Sequence, residues 1–300
     1  MALRSAVKLA AAALLALGLA ACSAAPKADE PVKVLAPAGA PALATLGLPE
    51  TAAVDYVEGQ DVLVSELAKK DGEYDIIIAP INLGVKSWEG SKTYKLDGVV
   101  TWGNLYLVGQ EGTKPEEGKV AAFGESAVPG LVFKNLNPEL AAEAVWYPSV
   151  AEASQAILSG QADTALMAQP AAAAAIAKGK ENGKNLTVLS DLQKEWQDKE
   201  KTAQTGYPQA ALFVKESSES KAKGAIAKMA DFLKDPTDDQ LTAAIEKVTA
   251  DKLGVPNAQI AVKTWKAQNI HYEKADSVKG DIESFLSKFN IAVPEEMFVK

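Results

Sequence analysis

The 300-residue sequence predicts an α/β protein built as two lobes. Two series of short apolar segments alternate with amphipathic ones, which is the pattern of parallel strands joined by helical crossovers. Small loops bearing Pro and Gly follow the strands of both series, as they do where open parallel sheets bind ligands. We therefore expect two mainly parallel sheets, each flanked by helices, with a cleft between the lobes.

The N-terminus is predicted to be a targeting segment outside both lobes. A basic start leads into an apolar run over 9–21, which is too short to span a membrane and ends at Cys22, the only cysteine. We predict a signal peptide over 1–21. The Leu-Ala-Ala-Cys end resembles a bacterial lipobox, which implies acylation of Cys22 and a lipidated tether over 22–31. The alternative is an ordinary secretory signal followed by a coincidental cysteine.

Composition excludes several classes of function. Lys and Arg number 31 against 39 Asp and Glu, for a net charge of −8, so we expect no nucleic-acid partner. A single cysteine and a single histidine leave no disulfide framework and almost no Cys/His metal cluster, and we expect no cofactor. Arg4 is the only arginine, so the mature chain has no guanidinium to clamp an anion.

No catalytic motif accompanies this composition. The sequence has neither a Walker-type phosphate loop nor a nucleophile elbow. A Ser-His-Asp hydrolase would need His271, which we place in a mostly helical region over 217–300 as a structural residue. We therefore predict that the protein is not an enzyme.

The first series of segments forms the first lobe. The Tyr-Asp-Ile-Ile-Ile-Ala run at 74–79 is continuous and apolar, as a buried parallel strand should be. Apolar spacing at 61–70 matches one face of a helix. In order, the pattern predicts a strand at 32–36, a helix at 41–46, a strand at 52–57, a helix at 61–70 and a strand at 74–79.

The second series forms the second lobe, and the chain then returns to the first. We expect crossings between the lobes near 104–113 and 203–210, so that 32–104 and 210–300 form lobe 1 and 105–209 forms lobe 2. The predicted elements are strands at 119–123, 144–147, 165–168, 186–189 and 209–214 and helices at 131–135, 150–158 and 170–178.

Four segments resemble type II periplasmic binding proteins, the ligand-capturing lipoproteins of ABC importers. They are Val-Leu-Ala-Pro at 34–37, the run at 74–80, Gly-Gln-Ala-Asp-Thr-Ala at 160–165 leading to Gln-Pro, and Tyr-Pro-Gln at 207–209. Within that class the chain is most similar to proteins that bind alkanesulfonates, taurine and pyrimidine precursors of thiamine.

The resemblance implies a type II periplasmic binding protein fold and capture of a small molecule by lobe closure. It also implies a monomer that is extracytoplasmic, anchored to the cell membrane through Cys22 and able to dock on an ABC permease. The missing arginines depart from the sulfonate binders, so we expect a neutral or weakly charged planar or heterocyclic ligand. The alternatives are an enzyme on the same fold and a surface lipoprotein with a protein partner.

Candidate ligand contacts lie in the loops at the strand ends. Trp102 would stack a planar ligand and Asn104 would hydrogen-bond it, unless they are a core tryptophan and a helix cap. Asn82 is either a contact or a cap. The predicted ligand contacts are Gly39, Ala40, Asn82, Trp102, Asn104, Ser126, Ala127, Tyr147, Gln169 and Tyr207.

The remaining predicted contacts carry alternatives of their own. Ser126 and Ala127 start a helix after a strand, which is a place for a ligand oxygen or for ordinary N-capping. Tyr147 and Tyr207 each precede a proline beside the expected cleft, and we expect one of them rather than both to touch the ligand. Gln169 ends a buried strand directly before a helix.

Overall fold

The computed structural model describes residues 30–300, so the predicted signal peptide over 1–21, Cys22 and most of the tether over 22–31 lie outside the described residues. No helix in the described part of the chain is both long enough and apolar enough to cross a membrane. The strands are β1 (Lys33–Pro37), β2 (Ala53–Val57), β3 (Ile76–Pro80), β4 (Tyr94–Thr101), β5 (Leu105–Gln110), β6 (Val120–Phe123), β7 (Val145–Tyr147), β8 (Thr164–Ala168), β9 (Leu186–Asp191), β10 (Ala210–Lys215) and β11 (Ile270–Lys274).

Helices separate most of these strands, and local signals fix several helix ends. The helix over 150–159 begins with a reciprocal capping box between Ser149 and Glu152, and it ends at Gly160 with φ +80°. The helices are α1 (Ala40–Ala44), α2 (Asp61–Leu67), α3 (Ile81–Ser91), α4 (Val128–Leu136), α5 (Pro138–Glu143), α6 (Val150–Ser159), α7 (Ala171–Glu181), α8 (Leu192–Glu200), α9 (Glu219–Lys234), α10 (Asp238–Val248), α11 (Ala258–Lys263) and α12 (Lys279–Ser287).

The strands form two separate sheets, as predicted. Sheet 1 has six strands in the order β11-β4-β10-β3-β1-β2, and sheet 2 has five in the order β7-β6-β8-β5-β9. The α/β class with one sheet for each series of segments is therefore confirmed.

Strand direction is more mixed than the expected mainly parallel sheets. In sheet 1, β1 pairs in parallel with β2 and β3, whereas β10 runs antiparallel to β3 and β4. In sheet 2, β6 is parallel to β7 and β8, whereas β5 is antiparallel to β8 and β9. The reason is topological. A strand that enters a sheet from the other sheet begins at the edge where the parallel strands end, so it must run against them.

Apolar side chains from both sheets share one continuous core. It includes Leu35 and Ile77 from sheet 1 together with Val120 and Leu166 from sheet 2. Two further cores lie behind the sheets, one under α9 against sheet 1 and one under α6 and α7 against sheet 2. The two sheets are thus joined by packing as well as by the chain.

The C-terminal region completes sheet 1. It is mostly helical, as expected, but His271 does not lie in a helix; it lies in β11, which pairs antiparallel with β4. The strand β11 was not predicted, because this short, polar strand is specified by its partner β4 rather than by local periodicity. At the chain end, the Val299 N–H donates to the Leu96 carbonyl of β4 at 3.0 Å.

Candidate functional site

The two chain crossings between the sheets lie side by side. The first crossing consists of residues 102–104, between β4 and β5, whereas we expected it near 104–113. The second crossing connects α8 to β10. The Tyr207 N–H donates to the Trp102 carbonyl at 3.1 Å. The Asn269 side-chain amide donates to the carbonyls of Trp102 and Thr205, both at 2.8 Å. The crossings and the residue before β11 therefore form one bonded unit.

A glycine with positive φ allows each crossing to approach the other. Gly103 has φ +89° and Gly206 has φ +103°, conformations that residues with a Cβ adopt only under strain. A Cβ on Gly103 would lie 2.7 Å from the Tyr207 ring, and a Cβ on Gly206 would overlap the Trp102 carbonyl oxygen. Close contact between the crossings thus requires glycine at both positions.

The ring of Trp102 lies inside the shared core at this junction. Its exposure is 0%, and the His271 ring stacks on it with centroids 5.4 Å apart and planes at 9°. Burial lowers the pKa of His271, so the imidazole is neutral at physiological pH. The indole Nε1 has no hydrogen-bond partner. One face of Trp102 is therefore used for packing, while its N–H is left free.

Asn104 is buried with a side-chain orientation that its neighbours fix. It is 2% exposed, and its Nδ2 donates to the Gln169 carbonyl at 2.9 Å while the Gln169 N–H donates to the Asn104 carbonyl at 3.0 Å. Because a carbonyl only accepts, Nδ2 must face Gln169 and Oδ1 must be the acceptor on the other side. That Oδ1 is buried without a partner.

Asn82 and Gln209 each have one more side-chain oxygen without a partner. Asn82 lies at the start of α3, and Gln209 lies at the end of the second crossing. Asn82 is 4% exposed in the first turn of α3, where it makes no capping bond, and its Oδ1 has no partner. The backbone carbonyl of Gln209 accepts from the Ile81 N–H at 3.1 Å, and the backbone N–H of Gln209 donates to the Thr101 carbonyl at 2.9 Å. The side-chain Oε1 of Gln209 has no partner. We had not predicted Gln209; its place directly before the returning strand was the available signal.

These groups account for half of the unpartnered buried side-chain polar atoms in residues 30–300. Such an atom costs about 1–3 kcal/mol relative to a satisfied one, so a group of them in one place marks a candidate binding site. The eight atoms are Asn82 Oδ1, Trp102 Nε1, Asn104 Oδ1 and Gln209 Oε1 at the crossings, and Trp88 Nε1, Thr164 Oγ1, Glu219 Oε1 and Gln268 Oε1 elsewhere. Glu219 Oε1 has no hydrogen bond, but it lies 3.5 Å from Lys95 Nζ in an ion pair.

Gln169 and the loop after β1 use their hydrogen-bonding groups for contacts inside the protein. The Gln169 Oε1 accepts from the Ala173 N–H at 3.2 Å, so its side chain serves the first turn of α7. The Gly39 N–H donates to the Leu253 carbonyl at 2.7 Å, and Ala40 is buried as the first residue of α1. The expected access of a ligand to the backbone N–H of Gly39 is therefore blocked in this structure.

The predicted contacts of the second lobe lie at the carboxyl ends of parallel strands. Ser126 is exposed and Ala127 half-buried at the start of α4, which follows β6, and Ser126 does not cap that helix. Tyr147 is half-buried at the end of β7, which pairs with β6. These three residues form a second group in sheet 2, and they remain predicted ligand contacts.

Tyr207 lies in an aromatic cluster rather than at an open surface. It is fully buried, its ring stacks on Phe285 of α12 at 5.6 Å, and its hydroxyl donates to Gln193 Oε1 at 3.2 Å. The Trp196 ring meets it edge-on at 5.4 Å. In this structure Tyr207 is therefore a packing residue, with a ring partner that α12 supplies from a distant part of the sequence, and a ligand contact at Tyr207 stays a prediction.

Gln193 of α8 bonds the start of β5 and the second crossing, and it was not predicted. Its Oε1 accepts from the Leu105 N–H at 2.7 Å and its Nε2 donates to the Leu105 carbonyl at 3.0 Å, as a neighbouring strand would. The same Oε1 accepts from the Tyr207 hydroxyl. Gln193 thus ties the start of β5 to the returning crossing.

The buried residues of the crossings are packed closely, and none of them carries a charge. Cavities of about 550 and 560 Å³ lie elsewhere, beside β2 and after α12. Within residues 30–300 no group of three or more His, Cys, Asp or Glu side chains is placed to hold a metal ion. The crossing site therefore offers neutral hydrogen-bonding groups that are closed off from solvent in this structure.

Comparison with protein-family models finds no match, and comparison with curated proteins also finds none. Solved structures do match. An ABC transporter from Parabacteroides distasonis aligns with a TM-score of 0.74 and 19% identity, over 91% of this chain and 99% of that one. The periplasmic aliphatic sulphonate binding protein SsuA from Escherichia coli aligns with a TM-score of 0.63 and 14% identity, over 90% and 92%.

A third similar structure is the alkanesulfonate-binding protein SsuA from Xanthomonas axonopodis pv. citri bound to MOPS. It aligns with a TM-score of 0.57 and 14% identity, over 90% of this chain and 99% of that one. All three alignments cover both sheets at low identity. The chain therefore has the two-sheet α/β fold of the periplasmic binding proteins.

Proposed function

We propose that this protein is the substrate-binding component of an ABC importer and captures a small molecule between its two lobes. The observation that carries the proposal is the grouping of unpartnered, buried polar side chains at the crossings, in a chain with this fold. We take 32–104 with 210–300 as lobe 1 and 105–209 as lobe 2. A ligand that satisfies these groups would favour the closed form by its differential affinity for it.

The expected ligand is neutral or weakly charged and planar or heterocyclic. The described chain contains no arginine, and the crossing site contains amides, an indole and a neutral imidazole. Burying an unpaired ionic group among them would be costly. The free indole N–H and amide oxygens can hydrogen-bond the polar edge of a planar or heterocyclic skeleton.

The location and partners follow from the proposed role. We propose that the chain is exported, acylated at Cys22 and held at the membrane by the tether over 22–31, where it works as a monomer with an ABC permease. Several acyl chains on one residue make a stable anchor, whereas a single chain binds weakly. The described crossing residues include no reactive pair of side chains that would suggest an enzyme, so we propose a binding protein.

One observation favours a second candidate, a surface lipoprotein that binds another protein. Trp102 and Asn104 are almost completely buried, which is what a collapsed cleft predicts. The two candidates differ in one measurable respect, because only the first binds a small molecule.

Thermal unfolding of the soluble chain from residue 27 tests the proposal. The chain is screened against pyrimidines, vitamins, nucleosides, sulfonates, amino acids, sugars and aromatic acids and amides. A ligand at 100 times its Kd adds about 2.7 kcal/mol, which raises Tm by several degrees. A shift confined to one chemical class supports the importer role. No shift, together with no retained ligand in mass spectrometry, would favour the protein partner.

A further inference from the structure

Two of the unpartnered groups at the crossings have a polarity that the structure fixes. Asn104 Oδ1 must be an acceptor, because Nδ2 is committed to the Gln169 carbonyl. Trp102 Nε1 is only ever a donor. The two residues are separated by Gly103 alone, so their Cα atoms are at most about 7 Å apart. A free acceptor and a free donor therefore lie on the same short crossing.

The surroundings of this pair select against charged partners. Gln169 and Gln209 contribute amides, and His271, whose pKa is lowered by burial, contributes an uncharged ring. An anion would be repelled by the Asn104 oxygen. The carboxylate that adjoins the crossings, Asp191, is already bonded to the backbone N–H and the side-chain amide of Gln193, both at 3.0 Å. The pair is best satisfied by a neutral group that both donates and accepts.

We propose, on the basis of the proposed function, that the ligand presents an N–H and a C=O side by side on one flat edge. Lactams, cyclic ureides and primary amides have such an edge. The ligand N–H donates to Asn104 Oδ1, and the ligand carbonyl accepts from Trp102 Nε1. This arrangement satisfies both buried groups at once, and it makes these two side chains the determinants of specificity.

Matched probes test the hydrogen-bonding edge directly. Uracil and benzamide carry it, whereas 1,3-dimethyluracil and N,N-dimethylbenzamide keep the ring and carbonyl but have no N–H. Isothermal titration with the soluble chain should show binding of at least one parent compound and at least tenfold weaker binding of its methylated analogue. Equal affinity for parent and analogue would overturn the proposal.

Two tryptophan variants separate a ligand contact from a packing effect. Trp88 Nε1 is also buried and unpartnered, but Trp88 lies in α3 and not on a crossing, so Trp88→Phe is the matched control for Trp102→Phe. We expect Trp102→Phe to weaken binding of the parent compound at least tenfold and Trp88→Phe to leave it within twofold. Thermal unfolding without ligand checks that both variants fold. Equal weakening by both would contradict the assignment.

Asn104→Leu removes the acceptor while keeping a similar volume. We expect this variant to lose the preference for the parent over the methylated compound, and retention of the preference would overturn the role of Asn104. Binding of a sulfonate, amino acid or sugar without any amide or ureide would overturn the ligand class and leave the proposed function standing. Failure of every class in the panel would overturn both.

Discussion

The contact between the two crossings predicts a large effect of Gly206→Ala on stability. Gly206 has φ +103°, and an added Cβ would overlap the Trp102 carbonyl oxygen. That oxygen accepts from the Tyr207 N–H and from the Asn269 side-chain amide. The methyl group can be accommodated only if the carbonyl moves and these bonds lengthen.

The magnitude follows from two contributions. The left-handed conformation costs a residue with a Cβ about 1–2 kcal/mol. Loss of two hydrogen bonds costs about 0.5–1.5 kcal/mol each, so the total is about 2–5 kcal/mol. For a domain of this size each kcal/mol lowers Tm by about 2–4 °C, and we expect a decrease of roughly 5–15 °C in differential scanning calorimetry.

Gly112→Ala is the matched control for this variant. Gly112 also has a positive φ, +83°, but a Cβ there would meet no atom within 4 Å. It should cost only the conformational part, about 1–2 kcal/mol. If the two variants lower Tm equally, the carbonyl of Trp102 is not where the structure places it, and the description of the crossings is wrong.

Gln193→Leu should lower the unfolding free energy in urea by about 2–4 kcal/mol, because the N–H and C=O of Leu105 lose their partner. Gln197→Leu on the same helix, which loses one bond from the Thr205 hydroxyl, should cost less than about 1 kcal/mol; equal costs would contradict the bridging role. Burial lowers the pKa of His271 below the ordinary 6.5, so the unfolded chain takes up its proton first and stability falls as pH decreases below 6.5. Urea unfolding between pH 5 and 8 should show this loss in the wild type and not in His271→Phe; the same loss in both would refute it.

The sequence predicted the elements whose signals are local. The apolar run of β3, the helix α6 and the predicted strands of both series depend on neighbouring residues, and all lie close to their expected positions, whereas β4, β5 and β11 were not predicted. The direction of β5 and β10 depends on which edge of a sheet the chain enters, and no local pattern records that. The mixture of parallel and antiparallel strands in both sheets could be determined only from the structure.

The candidate site was predictable by region but not by role. Trp102 and Asn104 were predicted as ligand contacts where the chain approaches the first crossing, which was expected near 104–113. The bond from Asn104 to Gln169 and the stacking of Trp102 on His271 join residues 65 or more positions apart. Gln193 was missed for the same reason, because a glutamine in an amphipathic helix gives no sign that it will bond a distant strand.

The pairing of Val299 with Leu96 means that sheet 1 draws on residues that lie far apart in the sequence. Sheet 2 is formed by one continuous stretch, from Leu105 to Asp191. Sheet 1 needs β1 to β4 from before that stretch and β10, β11 and a bond from Val299 to β4 from after it. We therefore expect sheet 2 to form through shorter loop closures than sheet 1, so that sheet 1 is the slower of the two to be completed.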